Sequence, residues 1–234
     1  LADKFRYPDE VDAGISAETL QSGFENYFTQ LRVLKIKYAD QIEIMASFET
    51  ETYEGSSAYV RELIAISRPD YIVGSVHHVG GVGIDVSSDL YQQAISLAGS
   101  LEQLYCNYFD AQYEMLLDLQ PAVVGHFDLI RIFDEDYICR FENPEIWARV
   151  ERNLAYIKQK NLIIDFNLRG FDKAVEQYPS LPVLKLAIAM GIRVVPGDDS
   201  HGISSVGRNY EKGVAVLSSL GISDDWAKPK FIEY

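Results

Sequence analysis

Asp199 and His201 stand two residues apart in the stretch RVVPGDDSH, Arg193–His201, just after an apolar run, Ile192–Val195, that reads as a strand. The Pro-Gly pair behind that run stops it and hands the chain to a loop. A carboxylate and an imidazole at a strand exit occupy the place where open and barrel α/β folds carry their chemistry. They are also N and O donors of the kind that hold zinc, iron or manganese. The pattern recurs. Predicted strands end on Glu49, on His77 beside His78, on His126 and on Asn167, so that all four histidines follow strands. Each alone has an ordinary reading: Glu49 as a solvated carboxylate, Asp199 as a turn cap, His126 as a hydrogen-bonded core group. Their joint placement at equivalent strand ends points to a catalytic cation site, and the absence of thiolate pairs argues against a closed structural zinc site. A carboxylate such as Glu49 can bridge two ions, and paired ions about 3.5–4 Å apart are a standard arrangement for phosphate-ester hydrolysis.

The elements that must position these groups alternate between helix and strand. Ser16–Tyr38 reads as a helix with Ser16 as N-cap, Ile42–Phe48 as a strand, Ser56–Ser67 as a helix, Tyr71–Val76 as a strand, and Gly80–Gly83 as a glycine-rich loop. Ser88–Leu119 reads as two helices broken near Ser100, Ala122–Val124 as a short strand, and Asn143–Gln159 as a helix with Pro144 in its first turn. Leu162–Phe166 is a strand, Leu181–Met190 a helix stopped by Gly191, and Val206–Leu217 a last helix. Residues 1–16 read as a loop entering the domain, and Asp224–Tyr234 as one more strand or an arm. Tyr105, Tyr108, Phe109 and Tyr113 lie at helical spacing and are expected in the core. The alternation, with no repeat and no linker, predicts one mainly parallel α/β domain.

The formal net charge of -14 disfavours nucleic acid, whose phosphates select basic faces. A small phosphate needs only a few convergent cations, because the local field outweighs net charge. No apolar run approaches the roughly 20 residues that span a bilayer. Cys106 and Cys139 lie outside any C-x-x-C pair and no leader-like segment opens the chain, which predicts a reducing, cytoplasmic setting. There is no G-x-x-x-x-G-K-[ST] loop and no G-x-S-x-G elbow, and Gly80–Gly83 lacks dinucleotide spacing.

GSVHH (Gly74–His78), GHFDLIR (Gly125–Arg131) and GDDSHG (Gly197–Gly202), in this order and spacing, resemble the PHP (polymerase and histidinol phosphatase) family, nearest to its histidinol-phosphate phosphatases of HisJ-like and fungal type. The likeness runs over nearly the whole chain and takes in SFETE (Ser47–Glu51) and VGRNY (Val206–Tyr210). It implies a distorted (β/α)7 barrel, TIM-like, with up to three divalent ions (Zn, Fe or Mn) at the strand C-termini. By position, Glu49 would bridge, His77 and His126 would hold a second ion with it, Asp199 the first ion and His201 the third. Arg131 and Lys173 would bind the substrate phosphate. A metal-bound water or hydroxide held by Glu49 and Asp199 would attack phosphorus in line. The implied activity is a metal-dependent phosphomonoesterase of histidine biosynthesis that hydrolyses L-histidinol phosphate to L-histidinol and phosphate, its partner being a small phosphorylated metabolite. Another PHP phosphoesterase, or a non-catalytic PHP-like binding or regulatory protein, are the alternatives.

The sequence departs from the family in three places, the slightest being Ser47 where the family carries glycine. The family's opening H-x-H has no counterpart before His77, so residues 1–234 are expected to form a single PHP domain that is N-terminally incomplete, with its first strand missing. In NLRGFDK (Asn167–Lys173), Asp172 stands where the family carries arginine, while Lys173 keeps a cation and Arg169 is a candidate substitute. His78 and Asp85 are candidates to face the substrate, with His78 packing under the glycine loop as the other reading.

Overall fold

The structure is a computed structural model that describes residues 16–174 and 176–234. Apart from Ser16, the expected entry loop at residues 1–16 lies outside them. Ser16 caps helix α1 (Ala17–Lys37) by accepting from the Thr19 amide at 3.2 Å. Strand β1 is Ser47–Thr50, later than the expected Ile42–Phe48. Residues 42–46 approach it outside the ladder, and Asp70 fastens their end by accepting from the Ala46 amide at 2.7 Å. Glu49 therefore sits within a strand rather than behind one. Helix α2 (Ser56–Ser67) and strand β2 (Tyr71–Gly74) follow.

The glycine loop is the turn of a small antiparallel hairpin, β3 (His78–Val79) with β4 (Val82–Gly83). Gly80 and Gly81 both have positive φ, +60° and +79°, as a two-residue hairpin turn demands. The expected double helix is present as α3 (Ser88–Ala98) and α4 (Leu101–Leu119). Ser100 makes the break by capping α4 through its hydroxyl, which accepts from the Gln103 amide at 3.1 Å. Then come β5 (Val123–Val124), a 3-10 turn at Leu129–Phe133 and the short α5 (Tyr137–Phe141), the last two not anticipated. Helix α6 (Pro144–Lys160), β6 (Ile163–Asn167), α7 (Gly170–Lys173), α8 (Leu181–Ala189), β7 (Arg193–Gly197) and α9 (Tyr210–Ser219) complete the order. The last helix begins at Tyr210 rather than Val206 because a 3-10 turn occupies Ile203–Ser205. The C-terminal segment is an arm: the Ile232 amide donates to Asp70 O and the Tyr234 hydroxyl to Pro69 O, each at 2.8 Å.

Among the described residues the main sheet has the order β1-β2-β5-β6-β7, and every pairing is parallel. Register sets which side chains share a face, since successive residues point oppositely. Glu49 pairs with Val73, Val73 with Val123, Val123 with Ile163, and Asp165 with Val195. Odd-numbered residues thus share one face and line an inner space of 650 Å³ together with Met45 and Trp226. Even-numbered Val124, Ile164, Phe166 and Val194 turn into the hydrophobic core, and Ile72 on the same face is buried. The most extensive helix-on-helix packing in that core is α4 on α6, which bury Leu104, Tyr105, Tyr108, Phe109 and Leu116 and Ile146, Val150, Leu154 and Ile157. Each such side chain contributes about 1.5–3 kcal/mol. Buried Asn153 stitches the two helices by donating to Phe109 O at 2.8 Å and Gln112 Oε1 at 3.0 Å. Among the described residues no helix is long and apolar enough to cross a membrane.

A Cβ on Gly170 would lie 2.7 Å from Glu176 O and 2.8 Å from Gln177 Cα, both backbone atoms that cannot give way separately. Gly170→Ala is expected to cost about 1–3 kcal/mol in denaturant unfolding. Gly23→Ala, in exposed helix with open space around it, should instead gain about 0.5–1 kcal/mol.

Candidate metal centre

Three strand ends bring their side chains to one point. Glu49 comes from β1, His77 from just beyond β2, and His126 from just beyond β5. His77 Nε2 lies 3.0 Å from His126 Nε2, and Glu49 Oε1 lies 2.9 Å from His126 Nε2 and 3.7 Å from His77 Nε2. One donor atom from each falls within 4.8 Å of the others. Two glycines leave room for this approach. A Cβ on Gly125 would collide with Ser75 Oγ and sit 3.4 Å from Glu49 Oε1, and one on Gly197 would collide with Asp165 Oδ1.

The electrostatics follow from crowding. Desolvation opposes the charge on Glu49, but the hydrogen bond and charge of His126 and the charge of His77 outweigh it and hold the carboxyl well below its usual range. Desolvation likewise opposes protonation of His77, and Glu51 and Glu49 overcome it, so that His77 is pushed up to about 10. His126 is raised by Glu49 against its own burial. Glu51 stands behind His77, with Oε1 2.7 Å from His77 Nδ1 and Oε2 3.3 Å from His78 Nδ1. His78, the first residue of β3, is buried and does not line the cavity. Desolvation pushes the Asp165 carboxyl up to about 7, with the Asn167 hydrogen bond opposing.

The cluster forms one wall of a 210 Å³ cavity. Asn167 and Asp199 stand across it, the Asn167 amide donating to Asp165 at 2.9 Å and to Asp199 at 3.3 Å. Lys173, Arg169, Asp85 and Tyr178 also line it, as does His201. His201 is exposed at the rim and lies beside Arg169, whose Nη1 is 2.6 Å from His201 Nε2. Thus Glu49, His77 and His126 form a tight donor set, while Asp199 and His201 share the cavity without joining it. Two imidazole nitrogens and a carboxylate oxygen, with no thiolate, suit a divalent cation with positions left open.

Arg131, expected to bind phosphate, does not line this cavity. It is 2% exposed and its guanidinium is caged. It donates to the carbonyls of Gln177 and, at 3.2 Å, Glu176, lies 3.4 Å from Asp128 Oδ1, and is stacked 4.3 Å from the Tyr178 ring centre and 4.9 Å from that of Tyr137. A cation so occupied fastens the 176–180 loop. Asp172 does not face the cluster either: it turns to Asn209 (3.3 Å) and Arg208 (3.2 Å), which hold its carboxyl below the usual range. Glu51 and Asp165 are the site groups that sequence reasoning missed. Their strand-end spacing, two residues from Glu49 and from Asn167, was the available signal.

A PHP domain model matches residues 7–169. The probable histidinol-phosphatase of Schizosaccharomyces pombe is 37% identical over 222 residues, covering 93% of this chain and 72% of that protein. The histidinol-phosphatase of Saccharomyces cerevisiae is 32% identical over 244 residues, covering 89% of this chain and 73% of that one. Among solved structures, the histidinol phosphate phosphatase of Lactococcus lactis, determined with zinc, L-histidinol and phosphate, matches in fold with a TM-score of 0.67 at 18% identity, over 89% of this chain and 79% of that one.

A cation must displace protons from His77 and His126 to bind here. Zinc affinity, read by chelator competition, should therefore rise from about pH 6 to about pH 9. The raised folded value of His77 gives the metal-free protein a stabilisation that is complete below the ordinary 6.5 and lost on the way to about 10. The zinc-induced gain in Tm should accordingly widen with pH, and a flat profile would show that these imidazoles do not ligate.

Proposed function

The chain belongs to the PHP-domain family, and on that premise we propose that it is a metal-dependent phosphomonoesterase that hydrolyses L-histidinol phosphate to L-histidinol and phosphate. What carries the reading is the match over 93% of its length to a fungal relative of that activity by name. The converging strand ends of this chain agree with it. Glu49, His77 and His126 hold a divalent cation, with zinc the choice that best fits two imidazoles and one carboxylate; iron or manganese accept the same donors. Asp199, and His201 at the rim, are the groups available for further ions. Such a cation, when bound, supplies charge stabilisation to the phosphoryl oxygens and activates water.

The protein's own side chains do the rest. Lys173 and Arg169 are the cations of the cavity, and they bind and orient the phosphate dianion. Asn167, fixed by Asp165, presents its amide toward Asp199 and keeps that carboxylate aimed into the cavity. Asp85 offers a carboxylate to the cationic histidinol moiety, and Leu129 and Ile132 exclude water from one side. Arg131 acts at one remove, by holding the loop that carries Tyr178. We assign the reaction to histidine biosynthesis in the cytoplasm.

His126→Ala should cut phosphate release from L-histidinol phosphate by about 10³-fold or more, the loss of several kcal/mol of transition-state stabilisation. Full retained activity would overturn the assignment. Lys173→Ala should raise KM by about 10-fold or more through loss of a charge-assisted contact, which steady-state kinetics on the same ester will read.

A further inference from the structure

Glu51 has no part in the chemistry above, yet it sits largely buried behind His77, with one oxygen beside His77 and the other beside His78. We propose that Glu51 is the positioning residue of the metal centre: it fixes the His77 imidazole so that Nε2 faces the cation, and His78 holds Glu51 in that pose. The inference rests on the metal-site reading just given.

An imidazole offers two nitrogens and two tautomers, and only one arrangement suits the cluster. His77 Nε2 points at His126 Nε2 from 3.0 Å. Its Nδ1 lies 2.7 Å from Glu51 Oε1. An ionised carboxylate can only accept, so Nδ1 carries the hydrogen and Nε2 keeps its lone pair for the cation. A carboxylate engaged through one oxygen could still swing about its own bonds. The other oxygen of Glu51 lies 3.3 Å from Nδ1 of His78, whose side chain is 3% exposed. His78 is itself immobilised in the β3–β4 hairpin, paired with Gly83. Support thus runs from hairpin to His78, to Glu51, to His77. The paired histidines have different duties: the first faces the cavity and the second secures the carboxylate behind it. Carboxylates behind ligating histidines tune metal affinity by 10–100-fold, roughly.

The test is zinc affinity of the purified full chain by chelator competition, with the absorption bands of the cobalt-substituted protein as a second readout. Glu51→Gln keeps the shape and removes the charge. It should weaken zinc by about 10–100-fold and shift the cobalt bands, with far-UV circular dichroism unchanged. Glu51→Asp, too short to reach both histidines, should fall between, and serves if Glu51→Gln is unfolded. Folded variants that bind zinc within about twofold of the parent, with unchanged cobalt bands, would overturn the proposal. A parent that binds no zinc would overturn both this and the metal reading. A parent that binds zinc but releases no phosphate from L-histidinol phosphate would overturn the activity alone, since the two metal readouts still decide on Glu51.

Discussion

Strand register is the constraint on which the rest depends. Glu49 reaches the histidines because β1 pairs with β2 in the phase that sets Glu49 beside Val73, and each following pair keeps the same phase. A slip of one residue would turn Glu49 into the layer under the helices and bring Phe48 or Thr50 to the cavity. The buried Val, Ile and Phe residues of the other face make that slip costly. The hydrophobic core therefore specifies the site without touching it.

The cluster itself is a balance of opposed charges in a crowded space. Two imidazoles 3.0 Å apart penalise each other's protonation, and Glu49 offsets that penalty. Remove a carboxylate and the remaining groups are left buried beside like charge, which is costlier than never having been charged. A divalent cation resolves the same conflict by replacing protons, so metal binding and proton release are two faces of one equilibrium. Gly125 and Gly197 matter here for what they lack: any side chain there would occupy space that Ser75 and Asp165 use.

Much of this could be read from the sequence, for identifiable reasons. Alternating apolar runs and caps such as Ser16 and Ser100 are local signals, and the helices they announce are present. Polar residues at strand ends marked the site because the end of a parallel strand is a shared address in space. The contacts of Arg131 were not legible, because proximity to His126 in sequence says nothing of direction. The turn at Leu129–Phe133 swings its side chain away from the cavity, into the cage of Tyr137 and Tyr178. Asp172 was equally opaque, since its partners Arg208 and Asn209 lie far along the chain.

The Arg131 cage has a consequence for how substitutions in this enzyme are interpreted. Tyr178 lines the cavity, yet its loop is anchored by a guanidinium that stacks on the Tyr178 ring without lining the cavity itself, with Asp128 accepting from the Ser180 amide at 2.8 Å to complete the fastening. Damage to that anchor would loosen a wall of the cavity, and on the proposed reading it would lower turnover much as loss of a phosphate-binding cation would. A survey that scored lost activity alone would enter Arg131 among the substrate contacts. Telling a hinge pin from a hand requires a measurement of rigidity, such as amide exchange across 176–180, beside the measurement of rate.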